Sequence, residues 1–191
     1  MKILISGFEP FGDRSVNNSW EVAKEFDGAS DIDVLKLPVS FNRAHRVVEE
    51  ALKKQHYDLI LMLGETSATT DFVRLERLAI NYKDSVNPDN DGIVANDEEL
   101  IVGAPKAYFS AFPVKKVAAN LKQKGKKVKV TNSTGTYVCN SVYYNILHHL
   151  SETKTSIIAL FLHLPVSTEI ISISEMTQTV KDIIGQYKNS Q

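Results

Sequence analysis

Two runs constrain this chain more than anything else in it: "DLILMLG" at residues 58–64 and "SIIALFLHLP" at 156–165. Each is continuously apolar through its middle, with no polar alternation, and a strand of that kind has no face to give to water. It has to lie inside a sheet covered on both sides. The sequence between the elements supplies the cover. Ala44, Val47, Val48, Ala51 and Leu52 mark the i, i+3, i+4, i+7, i+8 stripe of an amphipathic helix just before the first run. A helix crossing between parallel strands is the expected unit.

The rest of the chain repeats the alternation. Lys2 to Ser6 reads as a first buried strand ending in "GFEPFG", and "NNSWEVAKEF" follows with a capping Asn or Ser ahead of a helical pattern. Ile32 to Leu37 is a second strand, stopped by Pro38. Residues 65–112 break the rhythm with polar, Gly- and Pro-containing sequence around one strand from Phe72 to Ile80, an excursion expected to add antiparallel strands. Pro113 then stands as a first helical residue, Val114, Val117, Ala118 and Leu121 share a face, and Gly125 is the stop. "KKVKVT" is a strand. "CNSVYYNILHHL" is a helix with Tyr143, Ile146, Leu147 and Leu150 inward, and Met176, Val180, Ile183, Ile184 and Tyr187 mark a closing helix. The predicted fold is a three-layer α/β/α sandwich with a mostly parallel mixed sheet, one domain over residues 1–191. Working residues in such sheets gather at the carboxyl ends of the strands. Four loops qualify: "GFEPFG", "GETS", "NSTGTYVC" and "HLP".

Charge and cysteine usage narrow the chemistry. A net charge of -1 with acids and bases interspersed provides neither a basic face for nucleic acid nor a polybasic membrane anchor. The opening apolar run stops at Gly7, too short for a signal segment or a membrane span, so a reducing cytoplasm is the expected compartment. The single cysteine, Cys139, can form no internal disulfide and has no second thiol for a metal site. Neither a metal nor a cofactor is expected.

Cys139 has two readings: a small apolar residue on a buried helix face, or a nucleophile. For the second, a helix N-terminus would draw a thiol pKa of about 8.5 toward neutrality, and Gly135 would let the backbone present amides to an oxyanion. Such a thiolate needs a histidine. Of five, His45 falls in a polar-flanked helix, His56 in a helix-to-strand turn, and His148 and His149 near the far end of the cysteine's own helix. Nine or ten residues of helix put that last pair roughly 14 to 15 Å from Cys139 along the axis. His163 ends the strand that follows and returns to the same sheet edge. A third group would hold its imidazole, and Glu76 is the candidate because alternation puts it on one face with Leu78 and Ile80. The competing reading is a surface Glu76 paired with Arg74 or Arg77.

At this point the motifs carry a resemblance. "ISGFEPFG", "VNNSW", "ERLAIN", "PDNDG", "GAPKAYFSAFP", "STGTYVCN" and "FLHLP" occur in the order found in the pyroglutamyl peptidase I, or pyrrolidone carboxyl peptidase, family, over about residues 1–170. The resemblance implies a cysteine exopeptidase that removes an N-terminal pyroglutamyl residue from peptides. It puts the nucleophile on Cys139, the histidine on His163 and the glutamate on Glu76. It also implies that Phe8 and Phe11 hold the lactam ring, with Tyr137, Val138 and the backbone of Glu65 beside it, and that the protein is a homotetramer. A neutral ring without an amino group is selected by flat apolar walls and a few backbone partners, which these residues can supply.

The sequence also departs from the family's pattern. "ETSATTDFVRL" stands between Gly64 and Glu76 in place of a Gly- and Arg-containing segment, and Val86 replaces an arginine common in bacterial members. Thr134 replaces an alanine before Gly135, and Val166 lies in "HLPVST", without the usual aromatic and second proline. A carboxylate at Glu65 is tolerable only if its side chain turns away from the ring. Two function classes follow: an active pyroglutamyl exopeptidase, or a family member that binds a ligand or partner without turnover.

Overall fold

A computed structural model describes residues 1–66 and 70–189. The strands are β1 (Ile3–Phe8), β2 (Ile32–Leu37), β3 (Leu59–Glu65), β4 (Val73–Glu76), β5 (Leu78–Ile80), β6 (Ala107–Phe109), β7 (Val128–Thr131) and β8 (Ile158–Leu164). The helices are α1 (Asn18–Ala23), α2 (Ala44–Lys54), α3 (Val114–Gln123), α4 (Val138–Glu152) and α5 (Ile173–Lys188). Six strands form one sheet in the order β2-β1-β3-β8-β4-β7, and β5 and β6 pair separately. The two apolar runs are β3 and β8, adjacent and parallel at the centre, and both are buried along almost their whole length.

Strand alternation divides the core in two. Ile3, Ile5, Leu61, Leu63, Leu160 and Leu162 pack beneath α1, α3 and α5, while Leu4, Phe8, Ile60, Met62, Ala159 and Phe161 face α2 and α4. This is the expected three-layer sandwich. The β5–β6 ribbon covers the outer side of α4, which explains why Asn140, Ser141, Val142 and Tyr144 are buried beside the predicted inward residues Tyr143, Ile146, Leu147 and Leu150. No helix among the described residues is long and apolar enough to cross a membrane.

The excursion departs from expectation in ways that matter for the site. The strand expected over Phe72 to Ile80 is two strands: the chain breaks at Arg77, β4 joining the main sheet and β5 the ribbon. β4 is antiparallel to β8 and parallel to β7, so β7 also runs against the central strands. "NSTGTYVC" therefore does not leave the common carboxyl edge. It starts from the reversed β7 and climbs back to that edge, where α4 begins. Two smaller differences concern element ends. Pro113 is the residue before α3 rather than its first, and β1 continues through Phe8, so Phe8 is a strand residue instead of a loop residue.

Candidate active site

The site is assembled at the carboxyl end of the central strands. Cys139 is the second residue of α4, and Tyr137 caps that helix with no side-chain hydrogen bond, leaving the first-turn amides uncapped by a side chain. Gly135, at φ +81, is in the left-handed region that lets the loop turn into the helix. The sulfur lies directly over β3: a Cβ added to Gly64 would stand 3.0 Å from Cys139 Sγ and 2.7 Å from the Phe161 ring. Glycine is what permits that approach. Gly64 is also the register partner of His163 on β8, so the sulfur stands over one strand and the imidazole projects from its neighbour at the same level.

Glu76 is fully buried, and its Oε1 lies 2.8 Å from His163 Nδ1. A carboxylate only accepts, so Nδ1 carries the hydrogen and Nε2 is left as the ring's other nitrogen, free of this contact. The second carboxylate oxygen accepts from Thr131 Oγ1 at 2.7 Å. Neither Arg74 nor Arg77 pairs with Glu76, which disposes of the surface reading. The original reason for its inward aim also fails, because the strand ends at Glu76 and shares no continuous face with Leu78 and Ile80. Its side chain faces inward because Leu75, of opposite parity, belongs to the other core. Thr131 has no signal in the sequence beyond closing a strand; only its pairing with Glu76 across β4 and β7 reveals it.

The Cys139 thiol does not behave as its helix position suggests. Burial, then the negative charges of Glu76 and Glu65, push it up to about 12, and only a backbone hydrogen bond acts in the other direction. The sulfur is itself only partly buried at the cavity, with the negative charges of two carboxylates beside it. A raised thiol pKa favours the protonated form, and His163 lines the same cavity.

Around this group lies a cavity of about 570 Å³, lined by Cys139 and His163 together with Phe8, Phe11, Tyr137 and Val138. Phe11 and Tyr137 stand 6.2 Å apart between ring centroids, and Phe41 meets Tyr137 edge-on at 5.3 Å. Phe8 is 2% exposed and packs near Phe161, so it forms the floor rather than a free wall. Glu65 also lines the cavity, with its carboxylate engaged: Oε1 accepts from the Asn18 amide at 3.0 Å and Oε2 pairs with Arg14. Val86 sits at the rim, 95% exposed. Thr134 donates to the Leu78 carbonyl at 2.8 Å, and Asn18 Nδ2 donates to the carbonyls of Pro165 and Val166, both at 2.9 Å. Residues 67–69 of the altered "ETSATT" segment lie outside the described residues.

Two further hydrogen-bonding side chains hold this arrangement in place: Asn140, which the sequence did not single out, and Tyr137, which it named only for the lactam ring. Asn140, next to the cysteine, accepts from the Ile80 amide at 3.0 Å and donates to the carbonyls of Ile80 and Tyr82 at 2.9 and 2.8 Å, fastening the excursion to the start of α4. Tyr137 donates to the Pro88 carbonyl at 2.8 Å. Among the other histidines, His148 is held by the Tyr108 hydroxyl at 2.9 Å, away from the cavity. Among the described residues no group of three or more His, Cys, Asp or Glu side chains is arranged to hold a metal ion.

Comparison with known proteins identifies the family and the fold. Residues 1–182 match the family model described as pyroglutamyl peptidase. The pyrrolidone-carboxylate peptidase of Thermococcus kodakarensis is 38% identical over 173 residues, covering 88% of this chain and 83% of that protein. That of Bacillus subtilis is 34% identical, covering 86% and 78%. Among solved structures, the pyrrolidone carboxyl peptidase of Fervidobacterium islandicum AW-1 superimposes with a TM-score of 0.91 at 36% identity, over 99% of both chains. Pyroglutamyl peptidase I of Bacillus amyloliquefaciens gives 0.90 at 31% identity, over 95% and 94%. By motif order, by fold and by these similarities, the chain belongs to the pyroglutamyl peptidase family.

Proposed function

We propose that the chain removes N-terminal pyroglutamyl residues from peptides with Cys139 as nucleophile, His163 as general base and acid, and Glu76 as the group that orients the imidazole. The observation that carries this reading is the buried Glu76–His163 contact of 2.8 Å in the cavity that Cys139 also lines. His163 Nε2 takes the thiol proton as Sγ attacks the pyroglutamyl carbonyl carbon. The resulting oxyanion lies near the first-turn amides of α4. Collapse breaks the C–N bond, His163 returns the proton to the departing amine, and a thioester remains. Water, deprotonated by the same histidine, then releases pyroglutamate and restores the thiol.

A thiol held protonated at rest fits a mechanism in which proton transfer accompanies attack. It also protects a lone cysteine from adventitious oxidation until substrate arrives. Phe11, Tyr137 and Val138 form the apolar walls for the lactam ring over a floor made by Phe8, and the backbone of Glu65 offers a partner while its carboxylate is held by Arg14. Cytoplasmic residence and a tetrameric assembly belong to the same reading, the first supported by the free thiol and the second by family resemblance; light scattering on the purified protein tests the assembly.

The deciding experiment compares fluorogenic pyroglutamyl, prolyl and glutamyl amides under reducing conditions, with Cys139→Ala in parallel. Release from the pyroglutamyl compound alone, lost in the variant, is the expected result. Folded wild-type protein inert toward all three would overturn the peptidase reading and favour a ligand-binding role for the same cavity.

A further inference from the structure

One lateral row of side chains crosses the sheet at the site. Gly64 of β3 pairs with His163 of β8, His163 with Arg74 of β4, and Arg74 with Lys129 of β7. Continuing the β1–β3 register, in which Ser6 pairs with Met62, brings Phe8 level with Gly64. The intervening residues Leu63, Leu162, Val73 and Val128 belong to the opposite core, so every member of the row projects on the α4 side. Neighbouring strands are about 5 Å apart. Across the sheet at this level the order is therefore the Phe8 ring, the sulfur over Gly64, the imidazole and a guanidinium, all lining the cavity, and then an exposed ammonium group beyond it. With the lactam ring on the Phe8 side of the sulfur, the peptide beyond the scissile bond passes over His163 toward Arg74.

Arg74 lines the cavity, and its buried Nε has no hydrogen-bond partner. No carboxylate among the described residues is in ion-pair reach of it. Glu65 is engaged by Arg14 and the Asn18 amide, Glu76 by His163 and Thr131, and Asp84 Oδ1 accepts from the Asp97 amide at 3.3 Å. The guanidinium lies 5.9 Å from the Phe72 ring centroid, and Lys129 Nζ stands over the same ring at 5.2 Å. A half-buried cation with an unsatisfied donor is costly unless an anion meets it.

We propose that Arg74 is a specificity residue that receives a carboxylate carried by the residue following the pyroglutamyl group, with Lys129 as an outer second cation. The carboxylate can be the α-carboxylate of a pyroglutamyl dipeptide or an acidic side chain. The proposal rests on the peptidase reading and gives it a preferred class of substrate: short or acidic pyroglutamyl peptides.

The test measures kcat/KM for two matched pairs, pyroglutamyl-alanine against its amide and pyroglutamyl-aspartyl amide against pyroglutamyl-asparaginyl amide, in wild type, Arg74→Gln and Arg74→Lys. Wild type is expected to prefer the anionic member of at least one pair by roughly ten- to hundredfold, the contribution of one or two charge-assisted hydrogen bonds. The preference resides mainly in KM and weakens with added salt. Arg74→Gln abolishes it and Arg74→Lys retains most of it. The pair that responds identifies the source of the carboxylate. Because the comparison is made within each variant, a general loss of folding or turnover cancels. Equal efficiency toward both members of both pairs in wild type, or a preference that survives Arg74→Gln, overturns the proposal alone. Failure to cleave any pyroglutamyl peptide overturns the peptidase reading and this proposal with it.

Discussion

Thr131 connects one hydroxyl to the whole site. It donates to the Glu76 oxygen that His163 does not use, so removing it leaves a fully buried carboxylate with one fewer partner and a less constrained imidazole. Thr131→Val is expected to lower kcat by roughly tenfold, the value of one hydrogen bond to a charged group, with KM little changed. Steady-state kinetics on a pyroglutamyl amide measure it. The cysteine carries a second prediction. With burial, Glu76 and Glu65 all pushing its thiol up, alkylation by iodoacetamide should keep accelerating with pH beyond the about 8.5 of a free thiol. Glu65→Gln should shift that profile to lower pH, since one of the two named charges is gone. A rate that is already flat below neutrality would contradict the raised thiol. Motif order found Cys139, His163 and Glu76 in the sequence, because each sits in a distinctive local pattern. Thr131 and Asn140 have no such pattern, and Arg74 enters there only as a surface partner for Glu76, because their importance lies in partners 55, 60 and 89 positions away in the chain.

At the scale of elements, the helix ends show how closely local chemistry predicts local structure. α3 ends as its sequence says, with Gly125 at φ +75 and the Lys126 amide donating to the Leu121 carbonyl at 2.9 Å. α4 ends in the same kind of turn, with the Thr155 amide donating to the Leu150 carbonyl, but the left-handed position is Lys154, at φ +50. A β-carbon there is strained. Lys154→Gly should therefore stabilise the fold by about 1 kcal/mol, seen as a higher urea midpoint with an unchanged slope. Elsewhere local pattern misled. The strand from Phe72 to Ile80 reads as continuous because its side chains suit a strand throughout. Its break at Arg77 arises from competition between two partners, β8 with β7 on one side and β6 on the other.

The whole molecule should respond to alkali through its buried hydroxyls and thiol. Burial leads in pushing Tyr57 and Tyr144 up to about 12, and it raises Tyr143 as well; Cys139 is raised to about 12. In each case the fold favours the protonated form. Their contribution is fully present below the unfolded pKa, near 10.0 for tyrosine and 9.0 for the thiol, and is lost as pH rises from there toward about 12. Urea midpoints should fall over that range while tyrosinate absorbance appears late and together with unfolding. Early ionisation in the native state would contradict it. At this scale the sequence by itself determined the layered architecture, the two central strands and the candidate nucleophile, because continuous apolar runs, helical stripes and local motifs are properties of short segments. Tertiary structure alone decided the reversal of β4 and β7, the carboxylates that raise the thiol pKa and the row from Phe8 to Lys129. Strand order, burial and cross-strand register depend on which distant segments come to lie side by side, and no local window of the chain contains that information.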